Sequence, residues 1–320
     1  MRRFGILILL ALVCVAALAL CSLCGAAHID WRDLPHSEIF WQLRLPREVL
    51  ALLVGATLSI CGAAYQSLFR NPLTDPYILG VSSGASLGAA VAILLGFEAY
   101  FYGVGLSALV TSLLTVVLIY RIASIGNRMH TTTLLLTGVC LTLLIGALVS
   151  FLMVMHHDKM DRIIFWTMGS FASASWMDIA IVAPVAIVGI VLLLVYAKDL
   201  NILLAGGNEA QSLGVETEKV KRIILFVTTL MVAFSVASCG VIGFVGLIVP
   251  HAVRLVMGPD NRRLMPVAVF VGALFMLLCD TAARTLFQPS ELPVGSLTAI
   301  VGAPLFIYML YRNKNQYPSC

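Results

Sequence analysis

The chain alternates long apolar runs with short polar or Pro/Gly-punctuated breaks, and it does so ten times. Phe4 to Leu23 is the first run, about Pro46 to Phe69 the second, and a glycine-rich run holding Gly80, Gly84 and Gly88 the third. Further runs cover about 103–120, 131–155, 177–196, 223–239, a stretch ending at Met257, 266–286 and 294–311. A hydrocarbon core of about 30 Å takes roughly 20 apolar residues in a helix, since every backbone group there must bond within the segment. The pattern predicts an all-α, polytopic membrane protein with about ten transmembrane helices, built as a single domain over residues 1–320. The first run is longer than a usual signal core, so it is read as a spanning helix behind Arg2 and Arg3.

The breaks carry their own signals. Residues 28–43 are polar, with Trp31 and Trp41 placed as interfacial aromatics. Arg70-Asn-Pro-Leu-Thr-Asp-Pro76 is a turn, because each proline disfavours helix at the residue before it. Gly80, Gly84 and Gly88 stand at i, i+4 and i+8, which predicts a closely packed helix face, with Ser82, Ser83 and Ser86 bonding back to helix carbonyls. Residues 161–176 are too short and mixed to span and predict an interfacial or re-entrant segment. Lys198 to Arg222 is the longest polar stretch, and its glycine breaks predict one or two short helices outside the bilayer. A faint repeat places Gly62 and Gly240, each preceded by Cys, ten residues before Pro72 and Pro250; the same offset carries Arg44 onto Arg222 and Gly80 onto Gly258. The two copies would start on opposite sides of the membrane, as inverted repeats of transporters do.

Composition narrows the class further. Of 320 residues, 60% are hydrophobic and 11% charged, with a mean hydropathy of +1.00. Soluble domains carry about 25% charged residues, so a soluble enzyme is excluded. The net charge of +4 is dispersed and offers no nucleic-acid surface. With ten spans and a cytoplasmic N-terminus, only Arg32, Arg44, Arg47, Lys159, Arg162 and Arg284 of the 20 Lys and Arg fall outside. The positive-inside rule therefore supports cytoplasmic N- and C-termini.

Candidate chemistry is sparse. The eight cysteines lie mostly in apolar runs and read as small hydrophobes; Cys21 and Cys24 have no further ligands beside them. His156 and His157, beside Met153 and Met155, read as a solvated loop, since no other ligand stands at helical spacing. No metal or cofactor is expected. There is no GxxxxGK[ST] phosphate loop, HExxH or GxSxG motif, so any work on a solute draws on a partner or an ion gradient. Helix centres are nearly free of ionisable groups, which disfavours proton or sodium coupling; Asp280 and Arg284, at i and i+4, are expected to pair locally.

Several segments in order resemble the permease subunits of type II ABC importers for cobalamin, haem and ferric siderophores. They are Arg44-Leu-Pro-Arg47, Arg70–Pro76, Ile78-Leu-Gly-Val-Ser-Ser-Gly84, Leu134–Gly138, Trp166-Thr-Met-Gly169, Leu213-Gly-Val215, Gly243–His251, Gly258–Arg263, Glu291–Gly295 and Gly302-Ala-Pro304. Asn261 and Ser296 depart from the family's commoner residues. The resemblance implies a homodimer in the bacterial inner membrane, working with two cytoplasmic ATP-binding subunits and one periplasmic substrate-binding protein. It implies import of a metal-chelate such as an iron-siderophore, haem or cobalamin. It casts Arg44, Arg47 and Arg284 as exposed charges that dock the binding protein. The stretch 205–218, with Gly206, Glu209, Ala210, Leu213 and Gly214, becomes the coupling helices against the ATPase. The fifth run lines the pathway at the dimer axis through Thr137, Thr142 and Ser150, with Thr131, Thr132 and Thr133 at its cytoplasmic gate. The competing reading is a secondary transporter of a hydrophobic or chelated solute.

Overall fold

The computed structural model describes residues 2–25, 36–100, 102–125, 128–288 and 290–312. Trp31 and Arg32, invoked above, lie outside these residues. Thirteen α-helices follow one another: α1 Arg2–Leu23, α2 Leu45–Leu68, α3 Val81–Leu94, α4 Gly103–Ala123, α5 Thr131–Met155, α6 Met160–Thr167, α7 Trp176–Val195, α8 Ala197–Ala205, α9 Gly207–Ser212, α10 Thr217–Cys239, α11 Val245–Met257, α12 Asn261–Thr285 and α13 Val294–Arg312. Between α4 and α5, Ser124–Ile125 and Arg128–Met129 pair antiparallel as a two-residue ladder. Among the described residues, seven helices are long and apolar enough to cross a membrane, while α3, α11 and α13 are apolar but shorter. Together they make the ten apolar helices the pattern predicts, and the fold is all-helical.

Local signals explain where these helices begin. Ser175 and Asp178 form a reciprocal capping box at the start of α7. Asp260 caps α12 by accepting from the Arg262 N–H at 3.1 Å, so α12 starts at Asn261, ahead of its apolar run. Likewise α10 starts at Thr217, six residues before the apolar signal, because a helix does not stop where the bilayer does.

The centre of the protein is α2. Twenty of its 24 residues are buried, and it packs against α7, α10, α11 and α12. Between apolar helices in lipid, close van der Waals packing replaces the hydrophobic drive, and small residues permit it. A Cβ on Gly62 would come within 1.8 Å of the Gly246 carbonyl oxygen, and one on Gly55 within 2.3 Å of that of Gly272. The α2–α11 and α2–α12 contacts are therefore backbone against backbone. The glycine row of α3 does the same against α4, where Gly84 faces Thr115 and Gly88 faces Thr111 and Ser107; Gly80 itself is the left-handed residue before the helix.

At about 1.5 Å per residue, α3 and α11 reach only about 20 Å, short of a ~30 Å core. The connections leading into them meet inside the protein. Tyr77 donates its hydroxyl to the Ile242 carbonyl at 3.1 Å, and the Pro76 ring lies against Gly246. Such irregular backbone is tolerated at depth only where protein covers it. The repeat at fixed offset is corrected here: Gly62 lies mid-helix in α2, whereas Gly240 ends α10. What does recur is a long–short–long order of helices, α2–α3–α4 and α10–α11–α12.

Candidate transport site, candidate coupling segment and buried ion cluster

A recess of about 260 Å³ opens between α3, α5 and the end of α6, lined by Ser82, Ser83, Ser86, Thr142, Gly146 and Thr167 among others. Three of its hydroxyls are held by nearby backbone: Ser83 donates to the Gly80 carbonyl at 3.0 Å, Ser86 to that of Ser82 at 2.9 Å and Thr167 to that of Ile164 at 2.8 Å. Ser83 Oγ and Thr142 Oγ1 are 3.4 Å apart and bring α3 and α5 together. Ser83 and Ser86 therefore bond back as expected, and all three serines line the cavity. Oxygen lone pairs left over on these hydroxyls face an otherwise apolar wall, which suits a solute with both apolar and polar surface. Val241, from the connection between α10 and α11, completes the lining.

Of the residues expected on the pathway and gate, Thr142 alone reaches this recess. Thr137 lies half-buried one turn and a half earlier on α5, and Ser150 is exposed. Thr131, Thr132 and Thr133 form the first turn of α5, with Thr132 exposed and the other two half-buried. Only Leu134, Gly138, Ile145 and Val149 of α5 are buried, a single stripe on a 25-residue helix.

The polar stretch after α7 folds as two short helices. Leu200 and Leu203 of α8 are buried and anchor it. Gly206 separates α8 from α9, and Glu209 is exposed. Gly214 takes a left-handed φ of +81, and the Val215 N–H then returns to the Ala210 carbonyl at 3.0 Å. That closure is a Schellman-type end, which a residue with a Cβ would strain. Ala210 is fully buried, so it anchors the segment from within, whereas Leu213 is 67% exposed. The segment begins at Ala197, eight residues before the expected boundary, and α10 already starts within its far end.

The expectation of exposed arginines at the opposite end is corrected. Arg44, Arg47 and Arg284 are 6%, 8% and 6% exposed. Arg47, on α2, binds Asp280 of α12 through Nε and Nη2 at 2.9–3.0 Å and Glu291 through Nη1 at 2.8 Å. Arg284 pairs with Glu48 of α2 and donates to the Cys21 carbonyl at 2.9 Å. Ser22 donates to the same Glu48, and Arg44 donates to the Ser22 carbonyl at 2.8 Å. Asp280 and Arg284 thus pair across to α2 rather than with each other. Buried charges must be matched and hydrogen-bonded, and this cluster does so by fastening α1, α2 and α12 together. Glu48 was missed in sequence. Its signal was there: adjacent +/− residues on α2 complement the −/+ pair on α12 once the two helices are known to touch.

Elsewhere, Lys159 donates to the Ile93 and Leu94 carbonyls at 3.1 and 3.0 Å, capping the end of α3. His156 and His157 are exposed, and no group of three potential metal ligands occurs among the described residues.

Comparison with known proteins matches this architecture over nearly its whole length. Residues 5–312 match the FecCD transport family. The chain is 46% identical over 268 residues to the cobalamin import system permease protein BtuC of Halobacterium salinarum, covering 84% of this chain and 72% of that one. It is 36% identical to the molybdate import system permease protein MolB of Haemophilus influenzae, covering 97% and 95%. A solved inward-facing structure, described as of a metal-chelate type ABC transporter, superposes with a TM-score of 0.87 at 36% identity, covering 96% of this chain and 99% of that one. The protein belongs to the FecCD transport family. It is a multi-pass membrane permease of the ABC-importer kind, a transport component and not an enzyme, with ATP hydrolysis the task of a separate subunit.

Proposed function

We propose that this chain is the translocating subunit of an ATP-driven importer for a metal-chelate, of the iron-siderophore, haem or cobalamin class. The observation that carries this reading is the whole-chain likeness to a metal-chelate type transporter, at 36% identity and a TM-score of 0.87. The mixed hydroxyl and apolar lining of the α3–α5 recess agrees with it, because a chelate presents both kinds of surface. Two copies pair about α5, whose apolar surface is largely uncovered in one chain. Two cytoplasmic ATP-binding subunits seat on α8–α9 with Leu213 pointing outward, and one periplasmic binding protein delivers the solute. The complex sits in a bacterial inner membrane with both termini of this chain cytoplasmic.

The test is uptake into proteoliposomes containing this chain with its ATP-binding subunit and binding protein. The reading expects ATP-dependent accumulation of one metal-chelate from a panel. Uptake driven by a proton or sodium gradient, by this chain alone, would instead establish a secondary transporter. The dimer axis has its own probe in Cys140, an exposed native cysteine on α5. With the other cysteines replaced, a flexible bismaleimide should yield a crosslinked dimer, and a monomer only would place the axis elsewhere.

A further inference from the structure

The polar link between the coupling segment and the central helices turns on a side chain that the sequence reading passed over. Asn201 sits on α8. Its Nδ2 donates to Asp260 Oδ1 at 2.7 Å, and its Oδ1 accepts the Asn261 backbone N–H at 2.8 Å. Asn261 is fully buried, and its side-chain oxygen lies 3.0 Å from the hydroxyl of Ser67, in the last turn of α2. The chain of contacts therefore runs from α8 through the start of α12 to the end of α2. An amide is the side chain that meets both demands at once: a carboxylate opposite needs a donor, and a backbone N–H needs an acceptor. Slight burial pushes the Asp260 carboxyl up, but the Asn201 amide, the Arg262 N–H and the neighbouring arginines outweigh it and hold the group below the usual carboxylate range.

What Asn201 holds is a rigid pair. Along their length α2 and α12 touch backbone to backbone at Gly55 and Gly272. At the far end Arg47–Asp280 and Arg284–Glu48 lock them again. A displacement of α8 reaches α2 and α12 directly through the junction at Asn201 and the apolar anchor of Leu200 and Leu203. The anchor is non-directional and tolerates sliding, whereas the two-handed hydrogen bond fixes position.

We propose that Asn201 is the positioning residue that transmits movement of α8–α9 to the α2–α12 pair, so that ATP hydrolysis by the partner is converted into transport. This rests on the reading of α8–α9 as the segment seated on the ATPase. The experiment uses the reconstituted complex and measures uptake per ATP hydrolysed, together with subunit assembly and thermal unfolding. Asn201→Ala and Asn201→Asp should assemble and hydrolyse ATP, with uptake per ATP reduced roughly fivefold or more, the lower range of measured couplings between sites. The exchange Asn201→Asp with Asp260→Asn restores one amide facing one carboxylate, with the backbone N–H still accepted, and should restore uptake per ATP. Unchanged coupling in Asn201→Ala would overturn the proposal. So would failure of the exchange to rescue, or a loss that tracks the unfolding midpoint alone. A wild-type complex without ATP-driven uptake would instead sink the functional reading itself, so the two failures are distinguishable.

Discussion

Helices α2 and α5 are nearly equal in length and both apolar, yet they occupy opposite situations. Twenty of 24 residues in α2 are buried, against four of 25 in α5. Hydropathy does not single out the buried helix, which is the less apolar of the two, because lipid and protein interior are equally apolar solvents for a side chain. Small residues do. Gly55, Ser59, Gly62, Ala63 and Ala64 let α2 approach its neighbours at backbone distance, whereas α5 presents Leu136, Leu143, Leu144, Leu148 and Phe151 outward. The charges follow the same division: α2 carries Arg47 and Glu48 into paired, buried sites, and α5 carries none. The central helix is architecture, and the sparsely packed one borders the recess proposed for the solute.

The comparison can be broken hardest at the N-terminal end of α2. Arg47→Ala strands the fully buried Asp280 carboxylate, and removing one partner of such a pair costs about 3–5 kcal/mol. Thermal unfolding in detergent should show the loss, and Arg47→Met with Asp280→Leu should recover much of it. A next, smaller effect comes from Gly62→Leu, where overpacking against the Gly246 backbone should cost about 3 kcal/mol. By contrast, an added Cβ at Gly146 of α5 meets nothing within 4 Å, so Gly146→Leu should move the unfolding midpoint little. Equal destabilisation at the two glycines would end the distinction between the helices. The mildest change for folding is Leu213→Asp, on an exposed side chain of the segment proposed to seat the ATP-binding subunit. It should leave the isolated chain as stable as before and reduce copurification of the ATP-binding subunit.

Much of this fold was legible as apolar runs. The bounds of α5 follow from the sequence residue for residue, since Thr131 and His156 end its apolar run sharply. The starts of α10 and α12 were hidden because charged first turns extend the helices into water, and periodic hydrophobicity is blind there. The functional residues were less legible where their role depends on a neighbour. Arg44, Arg47 and Arg284 read as exposed outer charges until α12 is placed against α2. Asn201 is an ordinary polar residue in a polar stretch until Asp260 and Asn261 stand opposite it. Ser82, Ser83 and Ser86 could be named, but their shared recess with Thr142 and Thr167 is a property of three helices together.

The most direct test of the account is uptake by the assembled complex carrying Gly146→Leu. Gly146 lines the recess between α3 and α5, and an added Cβ there meets nothing within 4 Å, so a leucine narrows the recess and leaves the packing of α2 alone. The account predicts a folded, assembled complex that still hydrolyses ATP while uptake of the metal-chelate is lost. Uptake at the wild-type rate would show that the solute passes elsewhere and would contradict it.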